Sequence, residues 1–167
     1  KVSSGIDLFI AMGSTETVKV VADEEIIDDV KTEVENNTLK IYVKSRPFNW
    51  NFNKTRKVYV TLKSLENLDA SSGSDVVSEN LLKGNKIQIS ASSGSDIKLN
   101  IEYQEVELDA SSGSDAELSG QCEYFDASSS SGSDITASAL KSKVCRVDVS
   151  SGADAVVNVS EDLKANA

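Results

Sequence analysis

Ser71-Ser72-Gly73-Ser74-Asp75 recurs as Ser92-Ser93-Gly94-Ser95-Asp96 and again as Ser111-Ser112-Gly113-Ser114-Asp115. A stretched copy runs from Ser128 to Asp134 with two extra serines, and a variant copy reads Ser150-Ser151-Gly152-Ala153-Asp154. The repeat glycines, Gly73, Gly94, Gly113, Gly132 and Gly152, are almost evenly spaced. A period of about 20 residues is the mark of a solenoid, in which each unit buries its apolar face only by stacking on its neighbours. Residues 68–167 therefore read as Ser-Gly-Ser-Asp coils.

Outward from each serine block the alternation has period 2, the strand signal. Ile89, Ala91, Ser93, Ser95, Ile97, Leu99 and Ile101 share one parity, and Ser90, Ser92, Gly94, Asp96, Lys98, Asn100 and Glu102 take the other. Leu108 to Leu118 and Cys145 to Val159 repeat the inward set. The small inward residues mark a narrow part of the core, and the glycine marks a sharp bend with φ > 0. Twenty residues at ~3.3 Å each give ~66 Å of contour, enough for a flattened or three-sided parallel β-coil with like residues stacked about 4.8 Å apart.

Residues 1–67 are less regular. Short β-branched segments at 6–10, 18–21, 30–34, 39–43 and 58–62 alternate with Gly13-Ser14-Thr15, Asp23-Glu24-Glu25 and the hairpin signal Asn36-Asn37. At most one helical turn fits, around Asp23–Asp29. This stretch reads as a β-rich lead-in that caps one end of a single domain spanning 1–167. Nothing comparable closes the other end, and the last residues read as an interrupted coil, so a further coil is expected beyond Ala167.

Composition narrows function. The net charge is −10, with 27 acidic and 17 basic residues. That argues against nucleic acid and anionic membrane surfaces, which need cationic patches. No long apolar run exists, so no membrane-spanning helix is expected. The opening Lys1-Val2-Ser3-Ser4 leads straight into strand-like sequence, as though a leader had been removed. With no histidine in the chain, His-containing triads and His-ligated metals are excluded.

Two acidic columns follow from aligning the copies on glycine. The first holds Asp75, Asp96, Asp115, Asp134 and Asp154; the second holds Asp69, Asp109, Asp126 and Asp148, with Ser90 in the second copy. Calcium is the metal such a column would take, since it gathers carboxylate oxygens. The nine-residue Gly-Gly-x-Gly-x-Asp unit of calcium-binding β-rolls is not matched here, however. The competing reading, which needs no cofactor, has each Asp fix its bend by accepting backbone N–H groups, as in Asx turns. Because these acids belong to the repeat, they point to structure rather than to a glycosidase acid pair, which would be a local exception. Phe48, Trp50 and Phe52 alternate on the loop with the chain's single proline. They are candidates to stack on a sugar or bury in a partner, or else to fold over the coil end as its lid. Cys122 and Cys145 offer one disulfide, although Cys145 also has the parity of a small buried hydrophobe.

Ser4-Gly5-Ile6-Asp7-Leu8, Val18 to Glu24 and Val30 to Ile41, followed by Ser-Gly-Ser-Asp coils and Val159 to Ala165, together resemble a bacterial family. It is the family of putative auto-transporter adhesins with a head GIN domain. The resemblance spans nearly the whole chain and implies a secreted or envelope-anchored β-solenoid with no catalytic motif. The reading that follows is a non-enzymatic, adhesin-like module of the cell envelope or a secreted one. Its surface ligand would be carbohydrate or protein. A self-associating structural protein, a homo-oligomer built through open coil ends, is the alternative, and a polysaccharide-active β-helix enzyme the distant third.

Overall fold

The corner decides the geometry. In each copy the second serine and the glycine both adopt positive φ, for example 57° at Ser72 with 67° at Gly73, and 55° at Ser93 with 68° at Gly94. Two successive left-handed residues reverse the chain sharply, and glycine takes one of them without a Cβ penalty. The serine that follows turns inward: Ser74, Ser95, Ser114 and Ser133 are fully buried. Its hydroxyl accepts from the backbone N–H of the first serine, as Ser92 to Ser95 at 3.0 Å and Ser111 to Ser114 at 3.1 Å. It donates in turn to a carbonyl one coil back, Ser95 to Ala70 at 3.0 Å and Ser133 to Ala110 at 2.9 Å. A buried hydroxyl satisfied on both counts costs little, whereas an unsatisfied one would be expensive. The inward reading of the corner serine thus holds, but Ser93, Ser112 and Ser151, which share its parity, are exposed because the left-handed pair turns that one residue out before the same parity resumes.

This computed structural model describes residues 1–44 and 54–167 and is a parallel β-solenoid. The strands are β1 (Asp7–Met12), β2 (Thr17–Ala22), β3 (Val30–Glu35), β4 (Thr38–Val43), β5 (Arg56–Leu62), β6 (Asn67–Ala70), β7 (Asp75–Ser78), β8 (Leu82–Ala91), β9 (Asp96–Ala110), β10 (Asp115–Ser129), β11 (Asp134–Val149) and β12 (Asp154–Asn166). The main sheet runs β12-β11-β10-β9-β7-β1-β5-β2, with β8 also paired to β9 and β6 to β8. Between β2 and β3 lies the single helical turn among the described residues, a 3-10 turn at Ile27–Asp29.

Hydrogen bonding passes through the corner without a break. Gly94 N–H donates to Ser112 O at 3.1 Å on the next coil, while Asp96 N–H donates to Ser74 O at 3.1 Å on the previous one. Inside, the columns are aliphatic: Leu68-Ile89-Leu108-Ala127-Val147 and Val76-Ile97-Ala116-Ile135-Ala155. Pairs of successive exposed residues, Gln104-Glu105 and Glu123-Tyr124, mark a second bend where the inward parity shifts.

Two registers differ from the glycine alignment. Ser128 and Ser129 pair with Asp109 and Ala110, so the two extra serines of the fourth copy are strand residues and its corner is Ser130-Ser131-Gly132-Ser133. The repeat also begins earlier than Leu68. Ser4 and Gly5 have φ of 73° and 62°, Gly5 N–H donates to Ser72 O at 3.0 Å, and Asp7 pairs with Asp75. Ser3-Ser4-Gly5-Ile6-Asp7 is therefore a corner, with Ile6 in place of the buried serine. Residues 13–66 are inserted between this first coil and the second. Within them, β5 and β2 extend one face, and the hairpin β3–β4 extends the opposite face through a parallel bridge from Val2 to Ile41.

Candidate functional site

The first acidic column is one rung longer than the copies suggested: Asp7, Asp75, Asp96, Asp115, Asp134 and Asp154 occupy successive rungs. Rungs of a sheet are about 4.8 Å apart, so like charges face each other along the whole line. Partial burial, with Asp96 and Asp7 on either side, pushes the Asp75 carboxyl above its ordinary range. Beyond Asp7 the next rung carries Lys57. Among the described residues no backbone N–H donates to the Asp75, Asp96, Asp115, Asp134 or Asp154 side chains. At the corners it is the buried serine hydroxyls, not the Asp side chains, that bond the backbone. Nor, among the described residues, does any group of three or more carboxylates or thiols converge as a metal site.

The second column needs a change of membership. Asp69, Ser90, Asp109, Ser128, Asp148 and Asn166 share it, while Asp126 lies two residues away between Glu107 and Arg146. The displacement follows from the two strand serines, which the glycine alignment had treated as an insertion. Carboxylates here alternate with neutral residues, doubling their separation to about 9.6 Å. Asn166 and Arg146 both donate to Asp148 and hold its carboxyl below the usual range.

Elsewhere the outer surface is cross-linked between coils. Lys83 pairs with Glu102 at 2.9 Å, Lys98 with Glu117 at 2.8 Å, Lys143 with Glu123 at 2.8 Å, and Lys86 with Glu107. Along the first column, among the described residues, no cation stands between the rungs from Asp7 to Asp154.

Near the second bend a shallow groove of about 520 Å³ crosses several coils. Gln104, Gln121, Glu123, Lys141, Lys143 and Ser160 supply polar groups along it. Tyr124, 56% exposed, stands on the same bend. Sequence reasoning missed this groove because its residues vary from coil to coil. The available signal was the break in alternation at Gln104-Glu105 and Glu123-Tyr124.

The remaining candidates separate. Phe48, Trp50 and Phe52 lie outside the described residues. Cys122 and Cys145 are buried free thiols. Burial, with the neighbouring Cys145, pushes Cys122 up to about 12, and burial beside Asp126 pushes Cys145 up to about 11. No described helix is long and apolar enough to cross a membrane.

No curated protein matches the chain. Among solved structures, a putative adhesin from Bacteroides fragilis superposes with a TM-score of 0.91 at 17% identity, covering 98% of this chain and 76% of that one. A putative adhesin from Parabacteroides distasonis gives 0.69 at 15% identity over 99% and 91% of the two chains. A protein of the same organism described as a putative lipid binding protein gives 0.68 at 16% identity over 98% and 88%. At such identities these likenesses speak for the solenoid fold. Over residues 1–167 the sequence matches the family described as "Putative auto-transporter adhesin, head GIN domain", and the chain belongs to that family.

Proposed function

We propose that the chain is a non-enzymatic, adhesin-like module of the bacterial cell envelope or of secreted material, and that the groove beside Tyr124 receives its surface ligand, a carbohydrate or protein. One observation carries this reading. The groove sets side-chain amides, a hydroxyl and paired charges side by side on adjacent strands of a parallel sheet. Preorganised polar groups of this kind suit the hydroxyls of a glycan or the polar edge of a protein, because the sheet leaves little ordering cost on binding. Membership of an adhesin family supports it, as do the adhesin descriptions of similar structures. Two carboxylates that line the groove, Glu102 and Glu123, are each engaged by a lysine, which is poor placement for a proton-donating acid.

Self-association into a homo-oligomer through open coil ends is the alternative, since an unpaired strand edge is a template for another strand. The test is binding of the purified chain to immobilised bacterial and host polysaccharides and extracellular-matrix proteins, beside a Gln104→Ala/Gln121→Ala double variant. Retention by one probe, lost at least tenfold in the variant, supports the reading. Release of new reducing ends from a polysaccharide would replace it with the enzyme, and association only with itself would replace it with the assembly.

A further inference from the structure

We infer that the cleft between the β1–β5–β2 sheet and the β3–β4 hairpin is a binding site for a single unbranched hydrocarbon chain. This cleft shares no lining residue with the groove and lies toward the amino-terminal end of the solenoid.

The two inserted layers continue the two faces of the first coil, but they part. On one wall, Ile10, Val60 and Val18 are register partners across β1, β5 and β2, and their exposure climbs from 2% to 6% to 44%. On the other wall, Leu39 pairs with Val34, which is 75% exposed although it shares the face of the buried Ile41 and Val30. Inward-facing valines left this open mean that the walls do not meet. They enclose a cleft of about 520 Å³, within the range of small-molecule sites. At the other end of the same strands, Val58 and Val30 are buried and the layers close. The space is a wedge with a greasy floor.

The walls say what fits. Both are sheet faces, which turn side chains rather than backbone N–H and C=O groups into the cleft, although β2 and β3 each keep one unpaired edge. A peptide inserted between them would leave its own backbone groups unpaired at a cost of several kcal/mol in an apolar site. A hydrocarbon chain brings no such groups. The mouth is polar and of mixed charge: Glu16, Glu66 and Lys1 line it, with Lys1 Nζ already 3.2 Å from Asp69. The chain's head is therefore left in water at the rim, and selection comes from the alkyl part. Residues 44 and 54, between which the aromatic loop runs, lie at the opposite ends of β4 and β5 from the lining residues Leu39 and Leu62.

The experiment is calorimetric titration of the folded chain with straight-chain alkanoates from octanoate to hexadecanoate, each below its micelle concentration. Affinity should rise about fourfold per added methylene, the equivalent of about 0.8 kcal/mol, and then level off once the cleft is full. Val18→Asp and Val34→Asp, at exposed positions that the fold does not need filled, should each weaken hexadecanoate at least tenfold. Their melting temperatures should stay within about 3 °C of wild type. No heat of binding, an affinity indifferent to chain length, or unchanged affinity in both variants would overturn the site. So would displacement of hexadecanoate by a short apolar peptide, which would make the cleft a docking place for a polypeptide.

Discussion

The Ser114 hydroxyl donates to the carbonyl of Ala91 on the preceding coil at 2.9 Å, and it is fully buried while doing so. The same carbonyl also accepts the Ser111 N–H at 3.0 Å, so the hydroxyl adds a second bond to an acceptor already satisfied by the ladder. Ser114→Ala should cost about 1 kcal/mol, seen as a lower urea midpoint with an unchanged slope. A loss above about 3 kcal/mol, beyond the range of one such bond, would show that the hydroxyl fixes the corner itself.

Gly120 and Gly113 separate steric from conformational demands. At Gly120, where φ is 111°, a Cβ would stand 2.0 Å from the Ile101 carbonyl oxygen. At Gly113, where φ is 67°, a Cβ would meet nothing within 4 Å. Gly113→Ala should cost about 1–2 kcal/mol, the left-handed penalty alone. Gly120→Ala should cost at least twice that, because backbone must move. Equal losses in urea denaturation would contradict the close approach.

The Asp75 carboxyl titrates above its ordinary value, so the folded state holds that proton more tightly than the unfolded chain does. Its contribution to stability is present at acid pH and is lost as pH rises through the folded value. Asp75→Asn should raise the melting temperature at pH 7 by about 1–3 °C, because it removes a partly buried charge that also faces like charges. The difference should vanish near pH 3 and shrink in about 1 M salt. Differential scanning fluorimetry reads both. Because the carboxylates form a line without converging, millimolar calcium should stabilise no more than magnesium does. A calcium-specific rise in melting temperature would turn the line into a ligand ladder.

With thiols pushed up to about 12 and about 11, Cys122 and Cys145 carry almost no thiolate at pH 8. Labelling by an aromatic disulfide reagent should be at least a hundredfold slower in the folded chain than in urea, where both thiols should react promptly. Fast labelling of either in the native state would mean that the coil interior opens locally.

The five Ser-Gly corners could be read because each coil repeats both a left-handed glycine and a buried small residue, serine in four copies and Ala153 in the last. The sixth escaped for a physical reason. Its buried position holds Ile6, which needs no hydrogen bond, and its neighbouring coil is reached only after the whole insertion, as the Asp7–Asp75 pairing shows. Asp126 was misplaced because chain alignment counts serines, whereas register obeys hydrogen bonds: Ser128 and Ser129 fill strand positions opposite Asp109 and Ala110. The groove and the cleft were hidden for a related reason. Both are made by residues that depart from the repeat, and periodicity reveals only what recurs.

The pairing of β1 with β7 also sets an order of assembly. Val2 to Met12 leave a ribosome before the insertion does, yet the strand they lie on, across Gly5–Ser72 and Asp7–Asp75, is made only after the insertion has been synthesised. A loop that long closes slowly relative to the single-coil steps between later rungs. Coils two to six can therefore zip one upon another by local contacts while the amino-terminal strand waits. A strand synthesised before the insertion is completed only after it.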